Sequence, residues 1–419
     1  MTVKTASTPA TTATGARWVV PFADGRAESL RGWHPDRALG EEDNVAAPLD
    51  AVLADLRELV EIESPSSDPA AVRTAAETFL AQLRRHVGGE GEVADDGLLT
   101  WQSGPAPEGD RHVLVLGHLD TVWPHGTLAR LPFEVHHDGR VTGPGVFDMK
   151  AGLVVAVHAM ARLAAEGRLP PVRLLITPDE EIGAPRSREA IVAEAARCGR
   201  VLVPEPSGPG GAVKVGRKGM AWGRVVVHGR AAHSGLDPEQ GSNAAVALGR
   251  LLPEVEGLGD AERGTTVVPT LVRAGTAINT VPARAEADLD IRFRLPEEAQ
   301  RVRDGLAALV APTGTRVETE VEVNRGPLTL AAAEPLLPAL RAAETAAGLT
   351  EPLASVEVGG ASDGNLAAQA GAAVLDGLGP LGDGAHAEHE HVVCDDLLPR
   401  VRLLAELIER VALVEVEAT

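Results

Sequence analysis

Val113-Leu114-Val115-Leu116-Gly117-His118-Leu119-Asp120 is a run of four apolar residues that ends in a glycine, a histidine and an aspartate. A short apolar run, partly β-branched and bounded by polar residues, reads as a buried strand over 113–116. The metal-competent residues follow immediately. The same grammar recurs at Leu174-Leu175-Ile176-Thr177-Pro178-Asp179-Glu180-Glu181 and at Val201-Leu202-Val203-Pro204-Glu205. Between these runs, 152–165 and 188–197 carry helical patterns. Strands alternating with helices predict an α/β fold, a mostly parallel sheet with helices on both faces. In such sheets functional groups collect beyond the carboxyl ends of the strands, where His118, Glu180, Glu181 and Glu205 fall.

Working outward, Val52, Leu53, Leu56, Leu59 and Val60 recur at helical intervals, and a second helix is expected over 71–83. The character changes near 218. Apolar alternation at 220–227, a helix at 243–252 and strands at 285–293 and 317–323 read as strand–helix–strand–strand–helix–strand. That order predicts an inserted α+β, ferredoxin-like unit with a half-covered antiparallel sheet. The main domain resumes with helices over 334–347 and 397–414. The division expected is therefore an N-terminal extension, partly disordered, over 1–48; a catalytic domain over 49–217 plus 325–419; and a lid or dimerisation domain over 218–324.

Two further segments bear ligands: Gly145-Val146-Phe147-Asp148-Met149-Lys150 and Gly384-Ala385-His386. Singly, each has a bland reading: a capped strand end, a helix N-terminal carboxylate, a charged turn. Together, two histidines and several carboxylates without cysteine suit a pair of borderline or hard divalent ions rather than a structural zinc staple. His118 and Asp120, two residues apart, allow the Asp120 carboxylate to accept the second imidazole proton and fix the tautomer. Asp148 can bridge two cations. Glu180 and Glu181 are adjacent and cannot share one role, so one binds metal and the other takes a proton from water.

Composition excludes several classes. The formal net charge of −21 disfavours nucleic acid and anionic membrane as partners. No stretch approaches the roughly 20 apolar residues of a membrane span. The two cysteines, Cys198 and Cys394, form no framework and are expected as reduced thiols in a cytoplasmic protein. Thr, Ser and Ala fill the amino terminus where a signal peptide would be apolar.

The strings Gly117-His118-Leu119-Asp120-Thr121-Val122, Gly145-Val146-Phe147-Asp148-Met149-Lys150, Asp179-Glu180-Glu181-Ile182-Gly183, Glu205-Pro206-Ser207 and Gly384-Ala385-His386 stand in an order that resembles the M20 metallopeptidases. The nearest branch is that of glutamate carboxypeptidase, within a wider group of desuccinylases and aminoacylases. The resemblance implies two Zn2+ per chain, with Co2+ or Mn2+ able to substitute. His118 and Glu205 would hold one ion, Glu181 and His386 the other, and Asp148 both. Glu180 would be the general base and Asp120 the orienting carboxylate. The segment Gly229-Arg230-Ala231-Ala232-His233-Ser234-Gly235 matches a motif whose histidine, in relatives, reaches the neighbouring subunit's site and stabilises the oxyanion. Asn279, Arg292 and the loop containing Gly360 match positions that hold the substrate's carboxylate.

The function these readings imply is a zinc-dependent, carboxypeptidase-like amide hydrolase. It would be a homodimer acting on a small peptide or N-acyl-amino acid and releasing a C-terminal residue, with glutamate the first expectation. An N-acyl-amino-acid deacylase or dipeptidase is the alternative. A non-catalytic ligand-binding protein of the same fold is a third reading, in which loss of Glu180 or of a metal ligand would be expected.

Overall fold

The computed structural model describes residues 48–105 and 112–415. The expected N-terminal extension lies outside them, apart from Pro48. The central six-stranded sheet has the order Glu90–Val93, Leu99–Gln102, Val172–Thr177, Val113–His118, Arg200–Leu202, Ala373–Leu375. Val113–His118 pairs in parallel with Val172–Thr177 and with Arg200–Leu202, and Ala373–Leu375 extends the parallel set. Leu99–Gln102 pairs antiparallel with Val172–Thr177, so the sheet is mostly parallel with one reversed strand near its edge.

Every residue of Val113–His118 is buried, as a strand covered on both faces requires. Val113 and Val115 pack into a core with α1 (Leu49–Val60), α2 (Pro69–His86), α3 (Ala151–Ala165) and the Leu397–Val411 helix. Leu114 and Leu116 join a separate core with Ile191, Ala195 and Leu366 on the opposite face. The period-two alternation of the strand thus divides the helices into two layers. At the start of α3, a Cβ on Gly152 would lie 1.8 Å from the Pro204 carbonyl oxygen. Only glycine lets this helix begin so close to the segment that carries Glu205.

A second sheet has the order Thr266–Ala274, Arg284–Phe293, Gly219–His228, Arg316–Arg325, with every pairing antiparallel. The helices Ala244–Glu256 and Glu297–Ala307 share its core through Leu248, Leu251, Val302 and Leu306. Strand Arg284–Phe293 alternates buried with less buried residues along its whole length, so helices cover one face. The chain order is strand–helix–strand–strand–helix–strand, and the mixed α/β architecture is the expected one. Cys198 and Cys394 are both free and buried. Among the described residues no helix is long and apolar enough to cross a membrane.

Candidate metal centre and active site

His118 is the last residue of its strand, two residues beyond the expected end. Its Nε2 lies 3.3 Å from Asp148 Oδ1 and 3.3 Å from Glu205 Oε1. His386 Nε2 lies 3.0 Å from Glu181 Oε2 and 3.5 Å from Asp148 Oδ2. The two oxygens of Asp148 therefore face different histidines. The five side chains come from separate loops and strand ends, and the fold gathers them into one cluster.

The proton arrangement makes the cluster a cation site. His118 Nδ1 is 2.9 Å from the backbone carbonyl oxygen of Asp120, which can only accept a hydrogen bond. Nδ1 therefore carries a proton, and Nε2 faces two carboxylate oxygens, where either a second proton or a metal ion fits. Burial opposes a charge here, yet the surrounding carboxylates hold His118 well above the usual imidazole range. Among the described residues Nε2 is buried without a hydrogen-bond partner, as is Glu181 Oε1. Carboxylate oxygens and imidazole nitrogens brought this close repel unless a proton or a metal ion lies between them. Burial, the largest influence on Glu181, pushes its carboxyl up to about 7. Hydrogen bonds to Asp148 and Glu181 push His386 up to about 10. A carboxylate-rich pocket short of positive charge gives both shifts.

The sequence expectation for Asp120 needs one correction. Its backbone carbonyl, not its carboxylate, is the nearer partner of His118; carboxylate Oδ1 stands 3.4 Å from Nδ1. The carboxylate is occupied elsewhere. It accepts the backbone N–H groups of Glu180 and Glu181 at 3.1 and 3.2 Å and the Ser66 hydroxyl at 2.6 Å. Asp120 thus sets the turn on which both glutamates sit.

Three other residues, Arg217, Arg325 and Glu390, belong to the site without having been expected there. Arg217 Nη2 donates to Glu205 Oε2 at 3.0 Å and to Asp376 Oδ1 at 2.6 Å, while its Nη1 donates to the Gly360 carbonyl at 3.3 Å. Arg325, buried at the end of the Arg316–Arg325 strand, donates to Glu180 Oε1 at 2.8 Å. Glu390 accepts from the backbone of Gly145, Phe147 and Asp148 and from the Trp123 indole at 2.7 Å, bracing the loop that presents Asp148. Glu390 lies only four residues after His386, a proximity that sequence reading could have weighed. Burial holds the Glu180 carboxyl well above the usual carboxylate range, and Arg325 opposes it.

His233, Asn279 and Arg292 stand apart from this cluster. His233 is exposed, and its Nδ1 accepts backbone N–H groups from Gly235 and Leu236, each at 3.2 Å. Its proton therefore sits on Nε2, which has no hydrogen-bond partner among the described residues. The Asn279 carbonyl accepts from Ser234 N–H at 3.0 Å, so Asn279 adjoins the His233 loop. Arg292 forks onto Asp290 with two 2.8 Å bonds. Among the described residues no hydrogen bond joins these three to the metal-ligand group.

A cluster of two histidines and three carboxylates at the strand ends of an α/β fold defines a metal-dependent hydrolase. The chain belongs to peptidase family M20/M25/M40, whose family model matches residues 114–410. It is 30% identical over 364 residues to carboxypeptidase G2 of Pseudomonas sp. (strain RS-16), covering 84% of this chain and 86% of that protein. It is 30% identical over 341 residues to a succinyl-diaminopimelate desuccinylase of Gluconacetobacter diazotrophicus, covering 77% and 86%. Its fold matches the crystal structure of an M20 family metallo-carboxypeptidase from Sulfolobus solfataricus with a TM-score of 0.70 at 16% identity, over 87% of this chain and 99% of that one. The protein is a hydrolytic enzyme of this family.

Proposed function

We propose that the chain is a dinuclear zinc amide hydrolase of carboxypeptidase type. It releases a C-terminal amino acid, glutamate in the first instance, from a small peptide or N-acyl-amino acid. The observation that carries this reading is the convergence of His118 Nε2 on Asp148 and Glu205, with the second Asp148 oxygen turned to His386. His118 and Glu205 would hold one ion, Glu181 and His386 the other, and Asp148 both. Bound ions of this kind polarise a carbonyl and lower the pKa of a shared water.

The chain's own groups divide the remaining work. Glu180, supported by Arg325, takes the proton from attacking water and delivers it to the leaving amine. The Nε2–H of His233 is a donor for the developing oxyanion. Arg292 exchanges Asp290 for the substrate's carboxylate, which its planar fork fits equally well. Neither Glu180 nor any of the five ligands is lost, which argues against the ligand-binding reading. The unit over 218–324 serves as lid and dimer contact, supported by the exposed Val268, Leu271 and Val272 on the edge strand Thr266–Ala274. The desuccinylase relatives favour one second reading, an N-acyl-amino-acid deacylase. Turnover of a panel pairing acyl groups with C-terminal residues separates the two: glutamyl peptides fastest for the first, short-chain N-acyl compounds fastest for the second.

Two measurements probe the site. Exhaustive chelation should abolish turnover, and readdition of zinc should restore it as occupancy approaches two ions per chain by elemental analysis. Full activity at a firm single ion would exclude the dinuclear reading. Arg325→Gln should lower kcat by about 10²-fold with zinc content unchanged, because a base displaced by an ångström loses that much. A loss of bound zinc in this variant would instead place Arg325 among the supports of the metal cluster.

A further inference from the structure

We infer that Asp55, His86 and His158 form a further site for a zinc-like divalent cation, separate from the catalytic cluster and joining α1, α2 and α3. Asp55 lies on α1, His86 ends α2 and His158 lies mid-way along α3. Two imidazole nitrogens converge on one carboxylate oxygen: Asp55 Oδ2 is 2.8 Å from His158 Nε2 and 2.7 Å from His86 Nε2. One ligand atom from each residue lies within 4.8 Å of the other two. Two imidazoles and a carboxylate are the donor set of zinc, cobalt or nickel, whereas magnesium and calcium prefer oxygen alone.

The neighbouring arginine holds the other oxygen of Asp55 and leaves Oδ2 to the two imidazoles. Arg85 Nη2 occupies the other oxygen, Oδ1, at 2.5 Å and is itself paired with Glu58 at 3.0 Å. Arg85 Nε also donates to His86 Nε2 at 3.4 Å, a long contact that an ion at this nitrogen must displace. Gln82, one helical turn before His86, has a buried Oε1 without a hydrogen-bond partner. Asp55 and His158 are buried, while the His86 side chain is 24% exposed and marks the route of entry. His158 lies about 10 Å along α3 from its start beside the catalytic loop, at 1.5 Å per residue. No residue is shared with the catalytic cluster.

The two pairs stand at hydrogen-bond distance, closer than the 3.0 to 3.5 Å pairs of the catalytic cluster. Ligand atoms around tetrahedral zinc stand about 3.3 Å apart, so an ion must widen the pairs by about 0.5 Å and displace a proton. This site therefore fills after the catalytic one. Its occupancy adds stability, because an ion that binds only the folded chain favours folding.

Zinc alone is the probe, and the readout is the difference between wild type and variants. After metal removal, the full chain is dialysed against rising free zinc and bound metal is counted. Wild type should hold one more ion per chain than His86→Gln or Asp55→Asn, and its thermal midpoint should keep rising with zinc after theirs has levelled. In the variants the apparent affinity of the last ion should fall roughly 10–100-fold or more, at least the cost of losing an indirect partner. Turnover of His86→Gln should equal wild type, which also shows the variant is folded. The same zinc count and the same thermal response in wild type and both variants would overturn the inference. So would an extra ion abolished only by His118→Ala.

Discussion

Replacing Glu180 by Gln is expected to cut kcat by about 10²–10⁴-fold while both catalytic ions stay bound. The amide keeps the size of the side chain and can still accept from Arg325 Nη1, which lies 2.8 Å from Oε1 in the native chain. It cannot hold the proton of attacking water. The backbone of this turn is fixed independently of the side chain, because Asp120 accepts the Glu180 and Glu181 amides. Glu181→Gln should behave differently. Its Oε2 stands 3.0 Å from His386 Nε2 and its Oε1 is buried without a partner, so losing its charge should weaken zinc binding before it affects chemistry. Steady-state kinetics with metal analysis on the same preparations separates the two. A Glu180→Gln enzyme that loses an ion, beside a Glu181→Gln enzyme that keeps both, would reverse the roles.

The sheet and the gathering of the candidate ligands at its strand ends were legible because both follow short-range rules. Buried parallel strands need continuous apolar runs, and ligands at their ends interrupt those runs with His, Asp or Glu. What stayed hidden depends on the third dimension. Leu99–Gln102 and Ala373–Leu375 are strands too short for a pattern to declare itself, and their pairing comes from the sheet they join. Arg217, Arg325, Asp363 and Asp376 are buried charges whose oppositely charged partners lie more than 30 residues away, with the exception of Glu205. No local spacing announces such pairs. Asp120 shows a subtler limit. A His and an Asp two residues apart fit a carboxylate–histidine bond, yet the chain bends so that the backbone carbonyl does that work and the carboxylate reaches across to the Glu180 turn.

Mixing His233→Ala chains with Glu180→Gln chains should restore activity that neither homodimer has. His233 lies in the exposed loop over 229–243, its Nδ1 held by two backbone amides and its Nε2–H unengaged among the described residues. An unengaged donor far from its own metal cluster in hydrogen-bonding terms is useful if a second copy brings it to the site. The edge strand Thr266–Ala274, with Val268, Leu271 and Val272 exposed by 49, 52 and 55%, offers the surface for such pairing. Removal of one oxyanion donor costs about 10²–10³-fold in kcat, so the His233→Ala homodimer is nearly silent. In a mixed dimer acting in trans, one site combines an intact Glu180 with an intact His233 from the partner. Random exchange of equal amounts makes half the dimers mixed, and recovery should approach about one quarter of wild-type activity. Verified mixed dimers that remain inactive would put His233 in its own chain's site or outside the reaction. Recovery would show that the active site is completed only by the second subunit.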